Sequence, residues 1–243
     1  MASPYSLKMT ERPILFNAEM VLAILENRKT QTRRVVKPQP IFSKIWEYGF
    51  ETEYADVEWD NKRYNEGGDP ITNYCPHGVV GDRLWVKETF GVMERTYHPE
   101  YGWENDGLVD DVDVKNVQKF TGDKHKNYDE RQAHYFVYRA SGYERCKDEG
   151  HWKPSIFMPR HASRILLEIT NVRMEQVKDI SRYDAMAEGC PNSWYDKEGN
   201  VRNFVPQEWY RNLWDSINAE RDNGAYAWEK NPYVWVIEFK RIP

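Results

Sequence analysis

Asn27-Arg28-Lys29-Thr30-Gln31-Thr32-Arg33-Arg34 sets four cations and two hydroxyls at the end of an apolar helical pattern. Such a charge density is foreign to a core. Lys29 and Thr32 stand three residues apart, and a lysine held beside a hydroxyl makes an oxygen nucleophile without histidine or metal. The same cluster would clamp a phosphate or a nucleobase. Upstream, Ile14-Leu15-Phe16 reads as a short strand, and Asn17 caps a helix with Met20, Val21, Ile24 and Leu25 on the helical period. Asn27 suits the left-handed residue that ends a helix. Downstream, Thr32 to Val36 reads as extended, closed by Pro38 and Pro40. The octapeptide is therefore a helix-to-strand junction.

Residues 37–80 are rich in Asn, Asp, Gly and Tyr and read as a long loop insertion. Gly81-Asp82 turns into a strand at Leu84 to Glu88. A second polar, acidic insertion without period spans about 91–133, before a strand at Tyr135 to Tyr138. Ile165, Leu167 and Ile169 share one face of another strand, which Val172 to Val177 continues after a bend. Ser181 caps a short helix through Glu188, stopped by Gly189 and Pro191. A helix after Pro206 carries Trp209, Tyr210, Leu213, Trp214 and Ile217 on one stripe. Val234 to Phe239 closes the chain as an apolar strand. Strands outnumber helices and lie at both ends, which predicts an α+β fold: a small mixed β-barrel with helices at its mouth and long loop insertions. No repeat or linker divides residues 1–243, so a single domain is expected.

Composition narrows the function classes. Aromatics reach 14%, with ten tryptophans and sixteen tyrosines, so large rings fill a core, line a flat cleft for planar bases, or both. A net charge of −5 argues against a protein that coats a polyanion by counterion release. The local cations stand against an acidic background including Asp110, Asp111 and Asp113, which favours a small or single-site ligand. Cys75, Cys146 and Cys190 are far apart with no CxxC, giving neither a zinc signature nor a disulfide framework. No apolar run approaches a membrane span and the N-terminus does not read as a signal peptide, so a cytoplasmic protein is expected. His151 and His161 are too far apart for a metal motif, and no Walker or Rossmann glycine pattern occurs, so neither metal nor cofactor is expected. Oligomeric state has no sequence signal.

These landmarks, in this order, resemble the ASCH family, whose fold is a PUA-like β-barrel. Its broad motif, Gly-x-Lys-x-x-Glu-x-Arg, falls on Asn27, Lys29, Thr32 and Arg34. Lysine and arginine match; glycine and glutamate do not. In the branch that hydrolyses N4-acylated cytidines a threonine stands at the glutamate's place, within Gly-Arg-Lys-Thr-x-Thr-x-Arg, and this chain is similar to that pattern. Gly81-Asp82-Arg83-Leu84-Trp85-Val86 resembles the Gly-Asp-x-Leu-x-Val strand of the small hydrolases, and Val236 to Lys240 their last strand. The helix from Ser181 to Glu188 takes the place of the one carrying their catalytic glutamate. A longer ASCH group, frequent in bacteriophages, is similar also at Trp152-Lys153-Pro154-Ser155-Ile156 and Met158-Pro159-Arg160. The resemblance implies a metal-independent amidohydrolase acting on a modified cytosine nucleoside, with Lys29, Thr32 and Glu188 as catalytic residues.

Each role makes a physical demand. At a pKa of about 10.4, only ~0.04% of a lysine is neutral at pH 7, and lowering it to about 7 needs ~4–5 kcal/mol of bias. Arg28, Arg33 and Arg34 supply like-charge repulsion, and burial supplies the rest. Thr32 is nucleophile or water-orienting hydroxyl. In extended chain it would face away from Lys29, so a bend between them is required. Glu188 would hold Lys29, shuttle a proton or bond the cytosine amino edge; its charge raises the lysine pKa, so burial must outweigh it. Arg34 and Arg33 are assigned to substrate, Arg34 with a structural ion pair as its other use. Ser155 and Arg160, in a polar run with Ser163 and Arg164, would line the cleft, and Trp85 would stack on a base. Two alternatives remain: a PUA-like RNA or modified-DNA binding module using Lys29, Arg33, Arg34 and exposed aromatics, or an ASCH-type ribonuclease.

Overall fold

Asn17 separates the first strand from the first helix. β1 (Glu11–Leu15) leads into α1 (Ala18–Leu25), whose Met20 N–H donates to Asn17 Oδ1 at 2.8 Å, a side-chain cap. Val21, Ala23 and Ile24 form its buried face. Asn27, at φ 58°, ends the helical run, and β2 (Gln31–Val35) follows. The computed structural model describes residues 9–47, 50–59, 62–64, 71–98, 100, 102–110, 112–115, 117, 132–142, 151–191 and 205–243. Asp111, Cys146 and parts of both expected insertions lie outside these residues.

The two expected loop insertions contain strands. β3 (Ile41–Glu47), β4 (Phe50–Trp59) and β5 (Lys62–Tyr64) form an antiparallel sheet in the order β3-β4-β5, with Ile41 opposite Glu58 and Glu47 opposite Phe50. β6 (Arg83–Lys87) precedes β7 (Phe90–His98), β8 (Gly102–Leu108) and β9 (Gln132–Tyr138), the last three ordered β8-β7-β9. Phe90 pairs with Tyr138 and Met93 with both Leu108 and Tyr135. The sequence reading missed β3 to β5 and β7 to β8 because charged and other polar residues break up their apolar and aromatic residues. A strand needs only a partner for its backbone, and polar side chains at alternate positions do not prevent pairing.

Five strands make the remaining sheet: β10 (Leu166–Gln176) and β11 (Tyr233–Ile242) join β1, β6 and β2 in the order β1-β6-β10-β11-β2. Among the described residues β1 and β2 do not pair. The sheet is open, and the expected closed mixed barrel is not formed; the α+β character remains. Closure requires the two edge strands to bond to each other. Apolar strands near both chain ends suggested that closure, yet the last strand, β11, is interior, flanked by β10 and β2. β10 runs without interruption where a bend was expected. Thr170 and Asn171 are both exposed, and there its inward alternation slips by one residue.

Two compact units arise from interleaved segments. In the first, Glu26–Arg83 with Glu168–Arg241, α2 (Arg182–Ala187) and α3 (Pro206–Asn218) accompany β10, β11 and β2. Its core gathers Val177, Ile180, Ala185, Tyr210, Trp214, Val234 and Val236. The expected stripe of α3 is buried at Tyr210 and Trp214, whereas Ile217 is exposed and Asn218 buried, its Nδ2 donating to the Trp214 carbonyl. In the second unit, Glu11–Leu25 with Leu84–Leu167, Phe90, Val92, Val117, Phe136, Met158 and Ala162 form the core. Among the described residues no helix is long and apolar enough to cross a membrane.

Candidate active site

The octapeptide is stitched to the end of α2. Ser181 caps that helix reciprocally: its Oγ accepts from Asp184 N, and Asp184 Oδ2 accepts from Ser181 N. Glu188 follows the last turn, and Gly189, at φ 97°, turns the chain away. Lys29 and Glu188 then form an isolated antiparallel bridge. Arg28 Nη1 donates to the Gly189 carbonyl at 2.8 Å, and Thr30 N to the Ala187 carbonyl at 2.8 Å. Residues on either side of Lys29 are thus fixed to residues on either side of Glu188.

Lys29 is wholly enclosed. Its Nζ donates to Glu188 Oε2 at 2.7 Å and to the Glu188 carbonyl at 2.8 Å. Burial is the largest influence on its pKa and, with repulsion from Arg34 and Arg33, lowers it below the ordinary lysine value of 10.5 against the attraction of Glu188. Relative to a solvated lysine, the balance is shifted towards the neutral amine despite the carboxylate partner.

Arg33 joins the same carboxylate from the other side. Nη1 reaches Glu188 Oε1 at 3.1 Å; Nε and Nη2 reach Glu175 Oε1 at 3.1 and 2.6 Å; Asp184 Oδ2 lies 3.5 Å from Nη2. Its side chain has no exposed surface and lies over the Tyr210 ring, 5.6 Å from the centroid. Burial alone would lower its pKa, but Glu188, Tyr210 and Glu175 outweigh it and the guanidinium is held charged. Arg173 bonds Glu175 Oε2 at 3.0 Å, Asp184 Oδ1 at 2.8 Å and Glu238. Around Asp184, burial is outweighed by hydrogen bonds from Ser181 and Gln31 and by Arg33 and Arg173, so its carboxyl titrates below the usual range. Burial and then Glu188 push the Tyr210 phenol well above 10, keeping it neutral. Arg34 is lowered by burial and by Arg221, against Glu188 and Tyr210.

Thr32 is buried within β2, opposite Ile237, while Arg33 is opposite Val236. Strand pleating sets these two pairs on opposite faces. Between Lys29 and Thr32 the backbone changes partner: Lys29 pairs with Glu188, whereas Gln31 pairs with Glu238 of β11. Thr30 lies between, bonded through N to Ala187 and through its carbonyl to Phe239 N, each at 2.8 Å.

Lys29 and Arg33 therefore both contact Glu188, with Thr32 and Arg34 beside Arg33 on β2. Trp85, Ser155 and Arg160 belong to the other unit. Arg160 and Lys87 approach the Trp85 ring at 5.9 and 5.6 Å, Arg160 Nε pairs with Glu11 at 2.9 Å, and Ser155 opens a short 3-10 turn. Sequence reasoning missed Glu175, Arg173, Asp184, Tyr210 and Glu238 as site residues. Three had a local signal: Arg173 and Glu175 share a strand face, and Asp184 precedes Glu188 by one helical turn. Among the described residues no group of three or more His, Cys, Asp or Glu side chains is arranged to hold a metal. Comparison with family models, curated proteins and solved structures found no match.

Proposed function

We propose that this chain is an amidohydrolase that removes the acyl group from an N4-acylated cytosine nucleoside, a small-molecule substrate. The observation that carries the reading is the enclosed Lys29, held against Glu188 yet biased towards its neutral form. A neutral amine accepts a proton, and the resemblance of residues 27–34 to the acylcytidine hydrolases supplies the nucleophile, Thr32. Lys29 Nζ takes the Thr32 hydroxyl proton, or that of a water which Thr32 orients, as the oxygen attacks the acyl carbon. When the C–N4 bond of the tetrahedral intermediate breaks, the departing N4 amine receives that proton through Glu188 Oε2. With Thr32 as nucleophile, water then cleaves the resulting ester and restores both groups. The enclosed setting strengthens each charge interaction in this sequence.

The test is incubation with N4-acetylcytidine without added metal, following the ultraviolet shift to cytidine. The native protein releases cytidine, and Lys29→Ala and Thr32→Ala each lower turnover by ~10²-fold or more. Near-native rates in both folded variants would remove the assignment. RNA affinity without deacylation would point to a binding module.

A further inference from the structure

We propose that Arg33 is a positioning residue for the reaction: it holds Oε1 of Glu188, so that Oε2 alone is presented to Lys29. This rests on the reading of Lys29 as the base. Glu188 divides its oxygens between two cations, Oε2 to Lys29 Nζ at 2.7 Å and Oε1 to Arg33 Nη1 at 3.1 Å. A carboxylate so held cannot rotate to bring both oxygens to the lysine, and half of its charge is engaged elsewhere. Arg33 cannot follow it, because Glu175 on β10 takes Nε and Nη2, and Asp184, one turn before Glu188, lies beside Nη2. Arg173 ties those two carboxylates together and reaches Glu238 on β11.

This place suits arginine and not lysine. A planar guanidinium has five donors in a fixed fork and spans Glu175 and Glu188 at once, which an ammonium does not. Arg33 is fully enclosed with its donors directed at these carboxylates, which suits an internal brace better than a substrate contact. In the resembling hydrolases' pattern its position is unspecified, so the brace is a reading of this chain alone.

The charged and titratable groups around the pair are Arg34 on β2, Asp184 on α2, Tyr210 on α3, Arg173 and Glu175 on β10, and Glu238 on β11. With them in place, loss of Arg33 removes a like charge from Lys29 and frees Oε1 for it. Both effects make Lys29 hold its proton more tightly.

The experiment is an NMR titration of the full chain labelled with 13C-lysine, with the Lys29 signal assigned by its loss in Lys29→Met. In folded Arg33→Met, Lys29 titrates closer to 10.5 than in the native protein, and Arg33→Lys restores part of the difference. In the deacylation assay Arg33→Met lowers kcat ~10-fold near neutral pH while KM stays within about two-fold. Should Arg33→Met not fold, Glu175→Gln serves instead. It removes a negative charge and frees Arg33 to turn fully onto Glu188, so Lys29 titrates lower than native. Unchanged Lys29 titration in folded Arg33→Met, or in Glu175→Gln, overturns the proposal. The titration needs no turnover, so a native protein inactive on N4-acetylcytidine would defeat the hydrolase reading while leaving the role of Arg33 decided by NMR.

Discussion

At the scale of single residues, a buried lysine and a buried tyrosine set opposite pH dependences on the same fold. Lys29 has a folded pKa below 10.5, so just under that value the unfolded chain still carries a proton that the folded chain has lost. Folding stability then rises with pH across the window between the two values. Tyr210 has a folded pKa well above 10, so its contribution is present below pH 10 and is lost as pH rises past it. Denaturation measured as a function of pH shows the rise reduced in Lys29→Met and the fall reduced in Tyr210→Phe. A native-like rise in Lys29→Met would contradict the burial of a biased lysine. Lys29 and Glu188 were named together only through the resemblance of residues 27–34 and of the helix from Ser181 to Glu188 to the hydrolase pattern, since residue type alone does not single them out. Arg33 was legible only as a cation near the substrate. Its engagement with Glu175 depends on β2 and β10 facing one helix end, and no local pattern carries that.

At the scale of elements, Asn27 ends the helical run of α1 in the left-handed conformation. The pattern that residues 27–34 resemble has glycine there, and this chain has asparagine at φ 58°. Both tolerate the left-handed region that most residues enter only at a cost. Asn27→Gly is expected to leave stability nearly unchanged, whereas Asn27→Val costs about 1–2 kcal/mol in urea denaturation. Equal stability of the two variants would show that the turn does not need this conformation. The turn itself was readable because asparagine after an apolar helical run is a local signal. The pairings of β3 with β4 and β7 with β8 were not, because a charge-rich strand announces itself only through its partner.

Across the whole molecule, the abundance of rings has a structural use in the first unit's core. Tyr210, Trp214, Trp209 and Trp228 cluster there, with Trp214 Nε1 donating to the Tyr226 carbonyl at 2.8 Å. Trp214→Ala is expected to cost about 3–5 kcal/mol by denaturation, and Trp214→Phe clearly less. A cost under about 1 kcal/mol for the alanine variant would place the tryptophan outside any tight core. The α+β character followed from alternating apolar patterns, but barrel closure did not. Closure is a property of which edges meet, and β1 and β2 are edges that stay apart.

On the proposed reading, the enclosed Lys29 beside Glu188 is catalytic machinery rather than a structural ion pair. Cytidine release from N4-acetylcytidine without added metal, by the native protein and by folded Lys29→Ala side by side, tests it most directly. Steady release by the native protein and a rate ~10²-fold lower in the variant is the predicted result. Equal rates, or no release by the native protein, would contradict it.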